Sequence, residues 1–257
     1  MKLSTNTFKK GLTEGKKQVG LWVSLGSNFS AETIAPSGYD WVLLDMEHAP
    51  SELDAILSQL QVFETSSSIA LVRPSWNDPV LVKRLLDIGA PGLLFPMIQT
   101  VEEATLAVAS TRYPPKGIRG VSGSTRANAF GRMTDYFQRI EQETAVLLQL
   151  ETLSAIEQAI EIASVDGVSG IFFGPADIAA DMGLLGQPMN PAVWDVIRPA
   201  ARKLIDVGMP VGTLAFDPAF AAELMNDGFS FVACGSDAAI LANGADALLS
   251  TVRQTIK

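Results

Sequence analysis

Two acidic residues, each placed after an apolar run, suggest a metal site. The segments 145–151 and 170–177 both begin as apolar runs that lead to an acid, and one helix-sized segment separates them. If the runs are neighbouring parallel strands, about 4.8 Å apart, Glu151 and Asp177 lie at the same end and can share one cation. Oxygen ligands favour magnesium, manganese or another hard divalent ion. In the alternative, Glu151 pairs with Arg73 and Asp177 only caps a turn.

His48 is the single histidine of the chain, and it directly follows another short apolar run. Its unperturbed pKa of about 6.5 suits proton transfer near neutral pH. A nearby carboxylate, Asp45 or Asp87, could orient the ring and raise its basicity. A packed histidine at the start of a helix is the alternative. Its position between Glu47 and Pro50, at the end of a strand, favours a catalytic base.

Arg73 and a run of small residues suit the binding of an anion. A guanidinium at the end of a strand can bind a carboxylate through two hydrogen bonds, or offset negative charge that develops on an oxygen. The alternative is a structural ion pair with Glu47, Glu151 or Asp177, and both roles are compatible. The small residues of Gly174-Pro175-Ala176 let a ligand approach the backbone closely, although a tight turn before a helix explains them too.

The elements that must position these residues follow a regular order. Short apolar runs alternate with segments of helical character along the whole chain, without a linker that would divide it. This pattern predicts an α/β protein with one domain over residues 1–257, folded as a (β/α)₈ TIM barrel, whose active site lies where the strands end. A doubly wound open sheet is the second choice. The predicted strands are Val19–Leu25, Trp41–Asp45, Ile69–Arg73, Gly92–Met97, Ala145–Glu151, Gly170–Phe173, Pro210–Thr213 and Phe229–Cys234.

Some segments need a separate interpretation. Residues 1–17 are polar and lack an apolar centre, so we expect no signal peptide but a polar arm whose lysine pairs, Lys9-Lys10 and Lys16-Lys17, are solvated. Ser30 is predicted to cap a short helix. Tyr113–Gly131 is too long for an ordinary connection, which predicts a functional segment. Cys234-Gly235-Ser236-Asp237 could bind a phosphate, but a turn followed by a helix cap is the preferred interpretation.

Composition excludes several classes of protein. The net charge is −9, which does not favour nucleic-acid binding. One cysteine allows no intrachain disulfide, and one cysteine with one histidine makes a zinc site improbable. No apolar run approaches the roughly 20 residues of a membrane span. We therefore expect a cytoplasmic protein that does not contact membranes.

Five motifs, in order, resemble those of one family, the HpcH/HpaI family of metal-dependent (class II) pyruvate aldolases. The similarity extends from about Gly20 to the last helix. The motifs are Asp45-Met46-Glu47-His48-Ala49-Pro50, Arg73-Pro74-Ser75-Trp76-Asn77-Asp78, Arg112-Tyr113-Pro114-Pro115-Lys116-Gly117-Ile118-Arg119-Gly120, Gln149-Leu150-Glu151-Thr152 and Gly174-Pro175-Ala176-Asp177.

The resemblance implies an activity. It implies a TIM barrel of the phosphoenolpyruvate/pyruvate-binding type, which reversibly cleaves 4-hydroxy-2-oxo acids to pyruvate and an aldehyde. The pyruvate enolate would be held by a divalent metal ion, Mg²⁺, Mn²⁺ or Co²⁺. The resemblance also implies a homohexamer built as a trimer of dimers.

It further implies roles for individual residues. Glu151 and Asp177 would be the metal ligands, His48 the base, acting directly or through a metal-bound water, and Arg73 the group that stabilises the enolate. Gln149, Gly174, Pro175 and Ala176 would contact pyruvate. Asp87, possibly from a neighbouring subunit, would raise the basicity of His48. We also predict aldehyde contacts from Val121 and Ser122 in the long irregular segment, and from Leu214 and Phe216 after the seventh strand.

Three rival functions remain open at this point. A Schiff-base aldolase needs a lysine at a strand end, but Lys83 and Lys203 fall in predicted helices and Lys116 in the long segment. A lyase for acyl-CoA thioesters of the citryl or malyl type should have a basic patch for the CoA phosphates. A barrel without catalytic activity that only binds a keto acid would bind pyruvate without exchanging its methyl protons.

Overall fold

Eight parallel strands close into a barrel in the order in which they occur along the chain, as predicted. The structure is a computed structural model that describes residues 1–256. The strands are β1 (Gln18–Val23), β2 (Trp41–Asp45), β3 (Ile69–Arg73), β4 (Gly92–Phe95), β5 (Ala145–Leu150), β6 (Gly170–Phe173), β7 (Val211–Leu214) and β8 (Phe231–Ser236). Hydrogen bonds between β8 and β1 complete the ring, which rules out the open sheet.

Helices surround the barrel and connect successive strands. They are α1 (Thr7–Thr13), α2 (Asn28–Ile34), α3 (Leu53–Phe63), α4 (Pro79–Asp87), α5 (Val101–Thr111), α6 (Tyr136–Glu143), α7 (Leu153–Glu157), α8 (Ala159–Ala163), α9 (Pro175–Asp181), α10 (Pro191–Asp206), α11 (Pro218–Asn226) and α12 (Asp237–Thr255). Strands such as β2, β4 and β5 are buried along their whole length. Because barrel strands are covered on both faces, they appear in the sequence as continuous apolar runs.

The N-terminal segment folds into a packed helix rather than an arm, although Lys10, Lys16 and Lys17 are exposed as expected. Asn6 caps α1 by accepting a hydrogen bond from the backbone N–H of Lys9. Phe8 is fully buried, and its ring packs on Trp41 and Phe231 inside the barrel, with ring centroids 5.7 and 5.8 Å away. The helix α1 therefore closes the end of the barrel where the strands begin. The expectation of an arm was wrong because two apolar residues four positions apart, Phe8 and Leu12, are enough to bury one face of a short helix.

Two helix caps can be compared with their predictions. The cap of α2 is Ser27 rather than Ser30, since the Ser27 hydroxyl accepts a hydrogen bond from the Ser30 backbone N–H. The preferred interpretation of residues 234–237 is confirmed, because Ser236 caps α12 through the Ala239 N–H. Within residues 1–256, no helix combines the length and the hydropathy that crossing a membrane requires.

The long irregular segment lies at the end of the barrel opposite to the ends of the strands. Helix α5 leads away from the end of β4, and β5 begins soon after α6, so residues 112–135 connect elements where the strands start. Their contacts agree with this placement. Arg126 donates a hydrogen bond to the Ile88 carbonyl, and Arg119 forms a 2.8 Å ion pair with Asp87 at the end of α4.

Candidate active site

Glu151 and Asp177 meet at the ends of β5 and β6, as the spacing predicted. Residues 147–150 pair with 170–173, so the two chains leave the barrel side by side. Glu151 is buried; one carboxylate oxygen accepts a 2.6 Å hydrogen bond from the Met97 backbone N–H, and the other accepts one of 2.8 Å from Gln149 Nε2. Asp177 lies in the first turn of α9 and is half-buried. It is not the cap of that helix, since Gly174 occupies the cap position.

Arg73 is held by acids other than Glu151. Its Nε and Nη2 donate hydrogen bonds of 2.8 and 2.7 Å to the two carboxylate oxygens of Asp45, and its Nη1 lies 2.9 Å from Glu47. The guanidinium also lies 5.1 Å from the ring centroid of Trp22, within cation–π range. Of the alternatives for Arg73, the pair with Glu47 is therefore present, whereas the oxygens of Glu151 accept hydrogen bonds from Met97 and Gln149 instead.

Asp45 positions Arg73 rather than the histidine. Burial alone would raise the pKa of Asp45, but hydrogen bonds from Arg73 and its charge lower it. Both carboxylate oxygens bind Arg73, and one also accepts a hydrogen bond from the Glu47 backbone N–H. The sequence-based expectation that Asp45 orients the His48 ring is therefore not what this chain shows. His48 is exposed on the cavity surface, and in the described part of the chain its ring makes no hydrogen bond.

The donors around Glu151 fit a hard divalent cation. Two carboxylates converge, and no third Asp, Glu, His or Cys within residues 1–256 joins them in a closed metal site. Gln149 Oε1 is buried without a hydrogen-bond partner in the same described range. A Cβ atom on Gly174 would come within 2.9 Å of Glu151 Cγ, so only glycine leaves room for these groups. Two side-chain ligands leave the remaining positions for water and substrate, as Mg²⁺-type ions prefer.

These groups open into one cavity of about 520 Å³. Its polar side contains His48, Arg73, Gln149 and Asp177, beside Gly174, Pro175 and Ala176. Leu214 and Phe216 also line it, so both predicted aldehyde contacts after the seventh strand lie in the cavity.

The other predicted residues lie elsewhere in a single chain. Val121 and Ser122 belong to the irregular segment at the far end of the barrel and are exposed there. Asp87 is the last residue of α4, at that same end, where Arg119 binds it. In one chain, Asp87 therefore cannot act on His48, and Val121 and Ser122 cannot touch an aldehyde in this cavity. Any such role requires a second subunit.

Comparison with known proteins identifies the relatives of this chain. Residues 18–244 match the family described as HpcH/HpaI aldolase/citrate lyase. The chain belongs to this family. A pyruvate aldolase of Rhizobium etli is 49% identical over 96% of this chain and 98% of its own length. A 4-hydroxy-2-oxo-heptane-1,7-dioate aldolase of Salmonella arizonae is 46% identical over 95% of this chain and 93% of its own.

The fold of this HpcH/HpaI family member agrees with a solved structure. A family protein from Burkholderia cenocepacia superposes with a TM-score of 0.93 at 38% identity, covering 97% of this chain and 100% of the other. The resemblance, the barrel and the prediction of an enzyme of the aldolase class are therefore confirmed.

Several cavity residues of this family member were missed by the sequence analysis. Trp22 supports Arg73 from β1, Phe172 lies in the cavity beside it, and Pro188, Met189 and Asp217 also line the cavity. Trp22 falls two positions after Gly20 in a predicted strand, so period-two alternation could have placed it inside the barrel. The loop residues carry no comparable pattern, since only the closed fold brings their loops together.

Burial makes Glu151 a weaker acid than an ordinary glutamate in the metal-free chain. Burial, together with the neighbouring carboxylate of Asp177, raises its pKa from 4.5 to about 8, against the effect of the Met97 N–H. Between pH 4.5 and about pH 8, Glu151 is therefore protonated in the folded protein and ionised in the unfolded chain. Protonation of Glu151 therefore stabilises the fold at low pH, and this contribution disappears as pH rises towards 8.

We expect the thermal midpoint of metal-free protein to fall between pH 5 and pH 8 more steeply than that of Glu151→Gln, which has no titrating group at this position. The measurement is a thermal melt in EDTA across this range. Glu161→Gln, on the exposed side of α8, is the matched control and should keep the wild-type slope. Identical slopes for wild type and Glu151→Gln would contradict the raised pKa.

Proposed function

We propose that this chain is a class II pyruvate aldolase, which reversibly cleaves 4-hydroxy-2-oxo acids to pyruvate and an aldehyde. The observation that carries the proposal is the composition of one cavity. It brings Asp177, which converges with the buried Glu151, together with an arginine fixed by two acids and with the single histidine. Curated relatives covering nearly the whole chain bear the names pyruvate aldolase and 4-hydroxy-2-oxo-heptane-1,7-dioate aldolase, which supports the same reaction.

The cofactor in this proposal is Mg²⁺, Mn²⁺ or Co²⁺, held by Glu151 and Asp177. When bound, such an ion acts as a Lewis acid that polarises the keto group of the substrate. Gln149 fixes Glu151 through its Nε2 and presents a free Oε1 to the same space. Gly174, Pro175 and Ala176 keep side chains out of the space that pyruvate would occupy.

In this proposal His48 accepts the proton of the substrate hydroxyl, and Arg73 stabilises the negative charge of the enolate. In cleavage, the C4 hydroxyl gives its proton to the base, His48 or a water beside it, and the C3–C4 bond breaks to release the aldehyde. The electron pair of that bond stays on pyruvate as its enolate, whose negative oxygen Arg73 stabilises. A proton then returns to C3 and forms the methyl group. No redox partner is needed.

The rival functions have less support. The CoA phosphates of a thioester substrate need cations, but no lysine lines this cavity within residues 1–256, and Arg73, the one arginine there, is already bound by Asp45 and Glu47. A Schiff base needs a lysine in the cavity, but Lys83 lies on α4, Lys203 on α10 and Lys116 in the segment at the far end of the barrel.

Exchange of pyruvate methyl protons into heavy water tests the proposal, because it reports enolate formation without an aldehyde. We expect exchange, followed by NMR, with Mg²⁺, Mn²⁺ or Co²⁺ and its loss in EDTA. Binding of pyruvate without exchange would support the non-catalytic barrel instead. Activity that survives EDTA and is destroyed by borohydride with pyruvate would support the Schiff-base mechanism.

The oligomer and the location of the protein also belong to this proposal. We propose a homohexamer, a trimer of dimers, as the family resemblance implies. The side chains of α12, almost all of them exposed, support an interface with another copy of the chain. Its large apolar side chains need a cover, and a second copy can supply it. A second subunit would also explain how Asp87, Val121 and Ser122 act on a cavity that their own chain keeps distant. The exposed apolar side chains of α12 and of the residue after it are Ile240, Leu241, Leu248, Leu249, Val252 and Ile256.

We also propose a cytoplasmic location on the basis of the composition.

A further inference from the structure

The turn that follows β4 has an unusual backbone. Met97 lies in the left-handed region, with a φ of 50°. Among the non-glycine residues that the structure describes, it shares this conformation with Ala129 and Phe130 of the irregular segment. A side chain at such a φ crowds its own backbone, and strained residues of this kind collect at functional sites. Of the three, Met97 is the one that lies where the strands end.

The left-handed turn directs the Met97 backbone N–H at Glu151. This N–H donates a 2.6 Å hydrogen bond to Glu151 Oε2, the short distance of a bond to a carboxylate. The next N–H, that of Ile98, donates to the Gln149 carbonyl over 3.0 Å. In an extended strand, successive N–H groups point in opposite directions. Both can therefore reach the end of β5 only because the backbone turns at Met97.

The residues after Met97 anchor the turn on α5. Ile98 is fully buried, and the Gln99 backbone N–H donates a 2.7 Å hydrogen bond to the carboxylate of Glu103 in the first turn of α5. The hydroxyl of Thr100 caps the same helix by accepting a hydrogen bond from the Glu103 N–H. Moving the turn away from β5 would break these contacts, so the Met97 N–H is held in place before a ligand binds.

Glu151 is restrained on its other sides too. Gln149 Nε2 donates a 2.8 Å hydrogen bond to its Oε1, and Gly174 lies so close that an added Cβ would come within 2.9 Å of Glu151 Cγ. Each carboxylate oxygen thus accepts one hydrogen bond and keeps a second lone pair. The bond from Met97 therefore fixes the rotation of the carboxylate while each oxygen can still bind a cation.

We infer that Met97 is a positioning residue whose left-handed backbone, rather than its side chain, holds Glu151 in the orientation that binds the metal ion. This inference rests on the proposed function, which assigns Glu151 to the metal. Loss of a hydrogen-bond partner that orients a metal ligand typically costs about 10–100-fold in metal affinity. Here the partner is a backbone N–H, so a substitution acts through the φ that it allows and not through the atoms that it adds.

Substitutions of Met97 that differ in their tolerance of positive φ test the inference. Valine is β-branched and is disfavoured there, asparagine is favoured, and leucine keeps an unbranched apolar side chain. In Mn²⁺ titrations followed by electron paramagnetic resonance, we expect Met97→Val to raise the Mn²⁺ Kd at least about tenfold, and Met97→Asn and Met97→Leu to stay within about threefold of wild type. Phe130→Val, at a φ of 57° in the irregular segment, is the matched control. It should lower the thermal midpoint and leave the Mn²⁺ Kd unchanged.

Hydrogen exchange tests the contact without a substitution at Met97. In the peptide over residues 95–99, the Met97 N–H is bound to Glu151, and the two N–H groups that follow it bind other acceptors. In metal-free protein followed by mass spectrometry, we expect one amide of this peptide to exchange at least about tenfold faster in Glu151→Ala than in wild type. Glu161→Ala, which removes an exposed acid of α8, should leave the wild-type rate.

Each outcome decides the inference. An unchanged Mn²⁺ Kd in folded Met97→Val, or an equal loss of affinity in Met97→Leu or Phe130→Val, overturns it. Equal hydrogen exchange in wild type and Glu151→Ala also overturns it, and this result decides the matter if Met97→Val does not fold.

Exchange of pyruvate methyl protons, measured in the same samples, reports the proposed function separately. Wild-type protein that binds Mn²⁺ without this exchange overturns the proposed aldolase and leaves the role of Met97 standing. Wild-type protein that binds no Mn²⁺ overturns both.

Discussion

Glu151→Gln is expected to lower kcat/KM for retro-aldol cleavage by at least about 10³-fold. Removal of one of two carboxylate ligands should empty the metal site at ordinary metal concentrations. Lewis-acid stabilisation is worth several kcal/mol, and each 1.36 kcal/mol corresponds to a factor of ten in rate. The substitution is nearly isosteric, and the Met97 N–H can still find an acceptor in the amide. The fold should therefore survive while Mn²⁺ affinity falls.

Two measurements make this expectation specific. Mn²⁺ binding, followed by electron paramagnetic resonance, should be lost in Glu151→Gln and in Asp177→Asn alike. Glu161→Gln, an exposed acid on α8, should bind Mn²⁺ and cleave substrate like wild type. Glu151→Gln protein that keeps both its Mn²⁺ affinity and more than a tenth of its activity would show that this pair of acids is not the metal site.

Arg73→Lys is expected to lower kcat by about 10²–10³-fold, the usual loss when one donor to a developing oxyanion is removed. A lysine ammonium is a point charge and cannot reproduce the fork of the guanidinium. That fork makes two hydrogen bonds to Asp45 and a contact with Glu47 while it faces the cavity. A lysine can satisfy the acids or reach the substrate, but it cannot do both.

The test must separate this loss from a loss of folding, because the pair of Arg73 with Asp45 is buried. A thermal melt and Mn²⁺ binding report the fold and the metal site, and both should be retained. Arg84→Lys, on α4, is the matched control with an exposed arginine. A kcat within tenfold of wild type in Arg73→Lys would remove the proposed role in enolate stabilisation.

Most of the barrel could be predicted because its strands are apolar on both faces. The observed bounds of β2, β3 and β6 equal the predicted ones, and the other five strands shift by one or two residues at one or both ends. Shifts of this kind occur where a strand passes into its loop, since the apolar run continues beyond the hydrogen-bonded ladder. The helix α1 was missed because it has only two apolar residues and follows polar ones.

The sequence predicted some neighbours within the site and left others undecided. Glu151 and Asp177 could be paired from the sequence because they end consecutive strands, which neighbour each other in a parallel barrel. The partner of Arg73 could not be chosen, since Glu47, Glu151 and Asp177 all lie near that end. The register of β2 against β3 decided it by placing Asp45 directly beside Arg73.

The sequence by itself determined the barrel, the end at which the cavity lies and the convergence of Glu151 and Asp177 there. These follow from strand order and from the rule that strand ends share one face. Only the tertiary structure showed that Asp45 and Glu47 hold Arg73, and that Pro188 and Met189 line the same cavity as Phe216. It alone showed that Asp87, Val121 and Ser122 lie at the other end. The physical reason is that loop contacts depend on barrel closure and helix packing, which bring together residues that are distant along the chain.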